Sequence, residues 1–483
     1  MSASLVGSEM CIRDSLMSFI KKTVSALLCA VLVASSVLVF AACGKNNNNN
    51  TENSTTKSNN ANVTNVTVRY LNFKPEVADV YKKIADEYEK ETGVKVIVET
   101  AANNEYESTL TAKMSTKSAP TLFQINGPKG YANWKEYCAD LSDSKLYKHL
   151  KDKSLAVTSK DGKVYGIPYV VEGYGIIYNK AITDKYFELD NKNTDFKSMD
   201  DINSFEKLKA LVEDMQKNKS ALGIDGVFAS TSLKAGENWR YQTHLANVPI
   251  YYEFTKNKID LTSNDTSKIT FEYARNFKNI FDLYLDNSTI EKGKTGTKTV
   301  TDSMAEFATE KCAMVQNGNW AWSQISKVSG NKVEENNIKF LPIYTGVKGE
   351  ETQGLCSGTE NYYAVNSKAS QAEQKAANDF IYWLYSSEKG KKFVTDDLGF
   401  IAPFDTFNDD EVPNDPLAKE ISNWMNKQSI TTIPWYFTVF PSQTFKDNFG
   451  SSLLKYAQGN KSWDEVKSDV VKDWEKEANA SKS

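Results

Sequence analysis

The stretch DGKVYGIPYVVEGYGIIYNK, residues 161–180, decides the fold. Apolar and aromatic residues fill it almost without interruption, and the pattern predicts two strands, 164–171 and 174–178, that are buried on both faces. Glu172 and Gly173 separate the two strands, and a carboxylate there is costly to bury unless it has partners. Two interpretations follow. Either a turn exposes Glu172, or the chain crosses between two lobes and places Glu172 in a cleft.

Composition sets the outer limits on structure and function. The chain has 483 residues, which is enough for two or three domains, and its 40% of hydrophobic residues allows a large core. The net charge of −4 argues against a nucleic-acid partner. The two histidines, His149 and His244, are too few for a His-rich metal site, and they make a Ser-His-Asp apparatus improbable.

The cysteines predict neither a metal site nor a disulfide framework. There are six, and none forms a CxxC pair, so a zinc or iron–sulfur site is not expected. They are Cys11, Cys29, Cys43, Cys138, Cys312 and Cys356. The first three precede or belong to the N-terminal targeting region. We expect the last three to be buried thiols, with one disulfide among them as the alternative.

The N-terminal region is typical of a targeting signal. Lys21 and Lys22 precede an apolar run over 24–42, which predicts a secretory signal peptide over residues 1–42, with an uncleaved membrane anchor as the alternative. Residues 1–16 do not fit such a signal, and we interpret them as an artefact before a true start at Met17. The end of the run, FAACG at 40–44, resembles a bacterial lipoprotein signal, which implies that Cys43 is lipidated. The polar residues 43–65 that follow predict a flexible tether.

From residue 66 onward, strands and helices alternate. The predicted strands are 66–71, 94–98 and 120–125, and the predicted helices are 77–92 and 106–117. This order predicts an α/β lobe with a mainly parallel sheet. Because ligands of such sheets bind at the carboxyl ends of the strands, Asn72, Phe73 and Asn126 are candidate binding residues.

The rest of the chain continues the mixed pattern. Further helices are predicted at 205–216, 271–285, 303–309, 370–386 and 463–478, and further strands at 223–230, 312–316, 338–342 and 360–365. Two segments between these elements, 237–244 and 317–322, combine aromatic side chains with planar polar ones.

Several segments together resemble the extracellular solute-binding proteins of bacterial sugar ABC importers, the family of maltose-binding protein. They are EKETGVKVIVE at 89–99, SAPTLFQINGP at 118–128, the opening stretch extended to residue 182, FATEKCAMVQNGNWAW at 307–322 and AANDFIYWLYSSEKGKKFV at 376–394. Their order covers nearly the whole chain after residue 66. The run WRYQTHLANVPIYY at 239–252 is similar to the subset that takes raffinose-like α-galactosides.

The resemblance implies a type II periplasmic-binding-protein-like fold, in which two α/β lobes are joined by hinge strands and enclose a ligand cleft. Lobe 1 is expected to comprise residues 66–171 and 346–399, and lobe 2 residues 172–345 and 400–478. The chain would cross first at the opening stretch, return near 343–349 and cross again near Gly399. The lobes of such proteins close on the ligand by a hinge motion.

The resemblance also assigns candidate ligand-binding residues. Trp320, in NGNWAW, matches a sugar-stacking tryptophan, and Glu172 matches a hinge glutamate that accepts hydrogen bonds from sugar hydroxyls. Trp239, with Glu237, falls where the family has an acidic–aromatic pair, and Trp435 falls in a late aromatic segment.

The chemistry of sugars agrees with these assignments. The C–H face of a pyranose packs on an aromatic ring, and its hydroxyls bind planar polar groups, which here include Arg240, Asn319 and Glu360. Packing in the core remains the alternative for each tryptophan.

The implied function is that of the substrate-binding component of a carbohydrate ABC importer. It would be a monomer without cofactor, metal or catalytic activity, anchored through Cys43 at the outer face of the membrane, and would deliver an oligosaccharide to the permease subunits. One alternative is a binder of a polyol, glycerol phosphate or peptide. An anionic ligand would call for an arginine clamp, and arginines are scarce after the signal peptide: Arg69, Arg240 and Arg275. The other alternative is a secreted glycoside hydrolase, for which no local pair of carboxylates stands out.

Overall fold

The structure is a computed structural model that describes residues 66–102, 105–261, 264–408 and 410–480. The predicted signal peptide, the predicted tether and Cys43 lie outside these residues. The strands are β1 (Thr67–Asn72), β2 (Lys95–Thr100), β3 (Leu122–Asn126), β4 (Val157–Thr158), β5 (Val164–Pro168), β6 (Glu172–Asn179), β7 (Gly226–Phe228), β8 (Cys312–Gly318), β9 (Ile338–Leu341), β10 (Gln353–Gly358), β11 (Asn361–Val365) and β12 (Thr431–Ile433).

Helices cover both faces of the sheets that these strands form. The α-helices are α1 (Ala78–Thr92), α2 (Tyr106–Met114), α3 (Gly127–Trp134), α4 (Lys145–Lys148), α5 (Lys180–Phe187), α6 (Phe205–Lys217), α7 (Lys219–Leu222), α8 (Ala246–Asn257), α9 (Ala274–Asp286), α10 (Val300–Ala308), α11 (Trp322–Ile325), α12 (Gln371–Ser386), α13 (Glu388–Lys392), α14 (Pro416–Met425), α15 (Gln443–Ala457) and α16 (Trp463–Ala480). A π-helix, Arg240–Leu245, leads into α8.

The first sheet has the strand order β2-β1-β3-β11-β5-β4. β1 runs parallel to β2 and β3, as the alternation of strands and helices predicted, whereas β11 is antiparallel to β3 and β5. The first helix, α1, ends at Gly93, whose φ of 75° is the left-handed conformation that favours glycine. Apolar side chains cover both faces of this sheet, with Tyr70 in one core and Leu71 in the other.

The second sheet has the strand order β12-β10-β6-β8-β7, and β9 also pairs with β6. The strand β6 is therefore its centre, with antiparallel partners in β8, β9 and β10. Tyr174 and Ile176 belong to the core on one face, and Ile177 belongs to the core on the other. Burial on both faces explains the continuous apolar run of the sequence. The α/β fold with two lobes is confirmed.

The chain crosses first between the lobes within the opening stretch. Pro168 ends β5 in the first sheet, and Glu172 begins β6 in the second. Between them, the backbone N–H of Val171 donates to the carbonyl of Ile401 at 2.8 Å, so this crossing is tied to a later segment. Glu172 is 2% exposed, and the interpretation as an exposed turn is wrong.

The return to the first sheet lies later in the chain than the predicted border at residue 346, and the border predicted at residue 399 stays a prediction. β10 pairs with β6 in the second sheet and β11 with β3 in the first, so the return lies at Thr359 and Glu360. The sequence of β10, QGLCSG, lacks β-branched and aromatic residues and gave no strand signal. After residue 399 the chain contacts both lobes: Ile401 packs against a core of the second lobe, Phe404 and Phe407 pack in the first, and Leu417 belongs to the core of the second.

The cysteines of the folded region are free thiols. Cys138, Cys312 and Cys356 are all buried and none of them forms a disulfide. The disulfide alternative is therefore wrong for these residues. Cys356 lies in β10 opposite Tyr174, where a small apolar side chain fits the core.

Candidate functional site

A cleft lies where the ends of the two sheets meet, and it encloses a cavity of about 180 Å³. An engineered cavity of about 150 Å³ admits benzene, so this space is of the size of one sugar ring. On the first lobe, Asn126 at the end of β3 pairs with Asn361 at the start of β11. On the second, Glu172 at the start of β6 lies opposite Gly358 at the end of β10. Asn126 and Glu172 both line the cavity.

Two tryptophans bring aromatic faces into the cleft. Trp320 follows β8 in the short 3-10 helix Asn319–Ala321, and Trp239 precedes the π-helix. Both indoles are half-buried and line the cavity, with ring centroids 6.0 Å apart and planes at 43°. Such an exposed aromatic corner is suited to the C–H face of a sugar.

Glu172 is paired with a lysine from the other lobe. Lys74, in the loop after β1, donates from Nζ to Oε1 of Glu172 at 2.7 Å and to Oε2 at 2.9 Å. Asn361 donates to Oε2 at 3.4 Å. Burial raises the pKa of Glu172, and the ammonium of Lys74 opposes that rise. The acid that stood out in the sequence is thus neutralised by a buried ion pair that spans the lobes.

Arg240 is buried in the cleft wall without an acceptor. Its guanidinium carbon lies 3.9 Å from the ring centroid of Trp239, which is cation–π stacking. Nε, Nη1 and Nη2 are all buried, and none has a hydrogen-bond partner. Burial lowers the pKa of Arg240 to about 9, although the charges of Glu237 and Glu76 oppose that change.

Further charged side chains line the cavity. Glu360, at the second crossing, has its pKa raised to about 6 by burial, against the attraction of Lys446 and Lys74. Lys446 on α15 has its pKa lowered by burial. Glu107 on α2 accepts a hydrogen bond from Nε1 of Trp134 at 2.9 Å, and burial raises its pKa.

The structure brings seven of the candidate residues to the cavity wall. They are Phe73, Asn126, Glu172, Trp239, Arg240, Trp320 and Glu360. The other four lie behind this wall. Asn72 is fully buried, where it donates to the carbonyl of Lys74 at 2.7 Å and accepts from its N–H at 3.0 Å, so it fixes the loop that carries Lys74.

The remaining three are supporting residues in this geometry. Asn319 accepts from the N–H of Gly173 at 3.0 Å and fixes the first crossing. Glu237 accepts from the N–H at the start of α10 at 3.3 Å. Trp435 is 5% exposed and packs against Tyr174, so its ring belongs to the core and not to the cavity wall.

Sequence reasoning missed several lining residues. Among them are Lys74, Glu76, Tyr106, Glu107, His244 and Lys446. Lys74 follows the candidates Asn72 and Phe73 directly, and this position after a parallel strand was a usable signal. Lys446 lies on an amphipathic helix, where a lysine reads as a surface residue.

Neither a metal site nor a membrane-spanning helix is found in the part of the chain that the structure describes. No cluster of three or more His, Cys, Asp or Glu side chains there could hold a metal ion. None of its helices combines the length and the apolar character needed to cross a bilayer.

Comparison with known sequences identifies a family and several named proteins with similar sequences. Residues 83–420 match the sequence model of the family described as bacterial extracellular solute-binding protein. The multiple sugar-binding protein of Streptococcus mutans is 23% identical over 395 residues, which is 80% of this chain and 85% of that protein. The melibiose/raffinose/stachyose-binding protein MelE of Bacillus subtilis is 32% identical over 109 residues, a local match to 22% of this chain and 25% of MelE.

Solved structures share the fold. A sugar transporter from Bacillus licheniformis, solved in complex with stachyose, superimposes with a TM-score of 0.61 at 19% identity, over 85% of this chain and 100% of that one. The solute-binding protein RafE, solved with raffinose, gives a TM-score of 0.62 at 20% identity, over 86% and 100%. The two-lobed architecture is common to all three.

Proposed function

The chain belongs to the bacterial extracellular solute-binding proteins, and from that premise we propose that it is the substrate-binding component of a carbohydrate ABC importer. It captures an oligosaccharide in the cleft between its lobes. One ring of the sugar stacks on the indoles of Trp320 and Trp239, and hydroxyls bind the polar groups of the wall.

The observation that carries this proposal is the pairing of open aromatic faces with unpartnered polar atoms in one cavity. Beside the two indoles, Nε1 of Trp320, Nε2 of Gln242 and Oδ1 of Asn126 are buried without partners. Buried polar atoms are costly to leave unpaired, so the wall favours a ligand that is rich in hydrogen-bonding groups. A sugar offers hydroxyls around an apolar face and meets both demands.

The names of the relatives support the same class of ligand. The Streptococcus mutans protein is named for multiple sugars, and MelE is named for melibiose, raffinose and stachyose. The structure from Bacillus licheniformis holds stachyose. These names, together with the run at 239–252, favour an α-galactoside as the ligand of this chain.

The remaining parts of the proposal concern anchoring and delivery. A lipid on Cys43 and the tether 43–65 would hold the protein, as a monomer, at the outer face of the cell membrane. Within the folded part, we place residues up to Pro168, together with β11 and α12, in lobe 1, and we place the start of lobe 2 at β6. Closure of the lobes around the sugar would create the surface that the permease subunits recognise.

Calorimetry of the purified protein tests the proposal. We expect one-to-one binding of raffinose or stachyose, with no change in the sugar when it is recovered and chromatographed. Glycerol 3-phosphate and a tripeptide serve as the probes for other solutes. Binding of either of these in place of every sugar, or hydrolysis of the sugar, would contradict the proposal.

Trp320→Ala tests the stacking platform. We expect the affinity for the bound sugar to fall by roughly tenfold or more, because a central aromatic anchor is lost, while the protein stays folded. Trp424→Ala is the matched control: Trp424 lies on α14 under Lys427, outside the cavity wall, and its loss should leave the affinity unchanged. Equal affinities of both variants and the wild type would remove Trp320 from the site.

A further inference from the structure

The guanidinium of Arg240 is a cation that the described part of the protein leaves without an acceptor. Its side chain is 2% exposed, and all three nitrogens are buried and unpartnered. The backbone of the same residue is held firmly, because Nε2 of Gln316 donates to its carbonyl at 2.7 Å. An arginine in this situation is held at a cost to the folded state, unless a ligand supplies the missing acceptors.

The carboxylates near Arg240 interact with other groups. Glu237 accepts from the N–H of Val300 at 3.3 Å, and Glu172 is held by Lys74. Glu76 lies 3.8 Å from Nζ of Lys74. No salt bridge to the guanidinium is present among the described residues, although the charges of Glu237 and Glu76 are near enough to act on it.

Neighbouring groups on the same wall are also donors without acceptors. Nε2 of Gln242 and Nε1 of Trp320 are buried, unpartnered and part of the cavity wall. The indole of Trp239, whose ring centroid lies 3.9 Å from the guanidinium carbon, restricts the movement of the guanidinium. Arg240, Gln242 and Trp320 therefore line the cavity with donors that have no acceptor among the described residues.

We propose that Arg240, with Gln242 and Trp320, forms a subsite for a ligand group that presents two adjacent acceptor oxygens, and that Arg240 determines which sugars the cleft accepts. The inference rests on the proposed function, because it concerns the same cleft. Two kinds of sugar carry such a group: a uronic acid, through its carboxylate, and a neutral sugar, through a pair of neighbouring hydroxyls. The fork of an arginine matches two oxygens at once, which a lysine does not.

The binding test compares the wild type with Arg240→Lys and Arg240→Met, using raffinose as the neutral probe and trigalacturonate as the acidic one. We expect Arg240→Lys to weaken binding at least tenfold and Arg240→Met more strongly. If the two acceptor oxygens belong to a carboxylate, the wild type prefers trigalacturonate and Arg240→Met loses that preference. If the two acceptor oxygens belong to neighbouring hydroxyls, the wild type binds raffinose and both variants bind it more weakly.

A thermal unfolding scan without ligand separates binding from packing. Because the uncompensated charge disfavours the folded state, Arg240→Met should keep or raise the unfolding midpoint of the ligand-free protein while it loses affinity. Arg275→Met is the matched control, since Arg275 is exposed on α9, and it should change neither affinity nor midpoint.

Two results would overturn the inference while the proposed function stands. One is sugar binding by both Arg240 variants within about twofold of the wild type. The other is a midpoint that falls together with the affinity, which marks Arg240 as a packing residue. A wild type that binds no sugar at all would instead refute the proposed function, and the subsite with it.

Discussion

Some polar side chains in the cleft have hydrogen-bond partners within the protein, and others have none. The carboxylate of Glu172 has Lys74 and Asn361 as partners, and Asn319 is used by the backbone of Gly173. The guanidinium of Arg240, by contrast, is open. A buried polar group without a partner costs more free energy than a typical hydrogen bond contributes. The unpartnered groups of the cleft therefore gain most from binding a ligand.

Glu360 gives the ligand-free protein a specific dependence on pH. Burial raises its pKa to about 6, above the usual value near 4.3. The folded state therefore holds the proton more tightly than the unfolded one, and stability is lost as the pH rises from about 4.5 to 6. Over this pH range the free energy of unfolding of Glu360→Gln should therefore fall by up to about 2 kcal/mol less than that of the wild type.

Urea unfolding at pH 4.5, 5.5 and 6.5 measures this effect. The exposed Glu351→Gln is the control, and it should follow the wild-type curve. Other buried carboxyls contribute to the overall dependence on pH, so the difference between Glu360→Gln and the wild type is the relevant quantity. A constant difference across the three pH values would contradict the assigned pKa.

At the level of elements, glycines at the strand ends shape the cleft. Gly318 at the end of β8 lies opposite Tyr174 of β6, and a Cβ built on it would overlap the indole of Trp320. Gly358 at the end of β10 approaches Trp435 in the same way, at 2.9 Å. The absence of a side chain at these ends lets tryptophans lie across them, so the strands position the rings.

Gly318→Ala tests this support of Trp320. The added methyl group should push the indole out of its position, and we expect the affinity for the sugar to fall about tenfold while the fold is kept. Binding is measured by calorimetry, and the difference in tryptophan fluorescence from the wild type shows whether the surroundings of an indole have changed. Gly293→Ala is the control, because a Cβ there meets no atom within 4 Å. If Gly318→Ala binds as the wild type does, the ring is not positioned by this contact.

In the whole molecule, the same residues join the lobes and line the cleft. Glu172 belongs to the first crossing and Glu360 to the second, and both face the cavity. Lys74 reaches from the first lobe to Glu172, and its Nζ also lies 5.7 Å from the ring centroid of Trp320. A ligand at this position contacts the connections between the lobes, so binding and hinge closure are coupled in the proposed mechanism.

Lys74→Met tests the ion pair that spans the lobes. Removal of the lysine leaves Glu172 buried without a cation, and we expect a loss of about 3–5 kcal/mol in the free energy of unfolding. The double variant Lys74→Met/Glu172→Gln should recover most of this loss, because the fully buried carboxylate of Glu172 is then absent and only the less buried Glu76 loses its cation. Urea unfolding at pH 7 gives both values. A loss below about 1 kcal/mol for Lys74→Met would mean that water or another group reaches Glu172.

Local patterns in the sequence were sufficient for much of the fold. The helical stripe of α1, its stop at Gly93 and the continuous apolar run of β6 all depend on residues that are near each other in the chain. The resemblance added the two lobes, and the matching family confirms it. The resemblance also directed attention to the segments 237–244 and 317–322, which supply Trp239, Arg240 and Trp320 to the cavity wall.

Only the tertiary structure decided which groups meet. The partner of Glu172 is Lys74, 98 residues earlier, and no local pattern links the two. The return at Thr359 and Glu360 depends on the pairing of β10 with β6, and the burial of Trp435 depends on Tyr174. Burial, pairing and an unpartnered charge such as Arg240 are properties of distant contacts. The sequence by itself determined the helices and strands and the family. Only the folded structure determined which polar side chains have a partner within the protein and which remain unpartnered in the cleft.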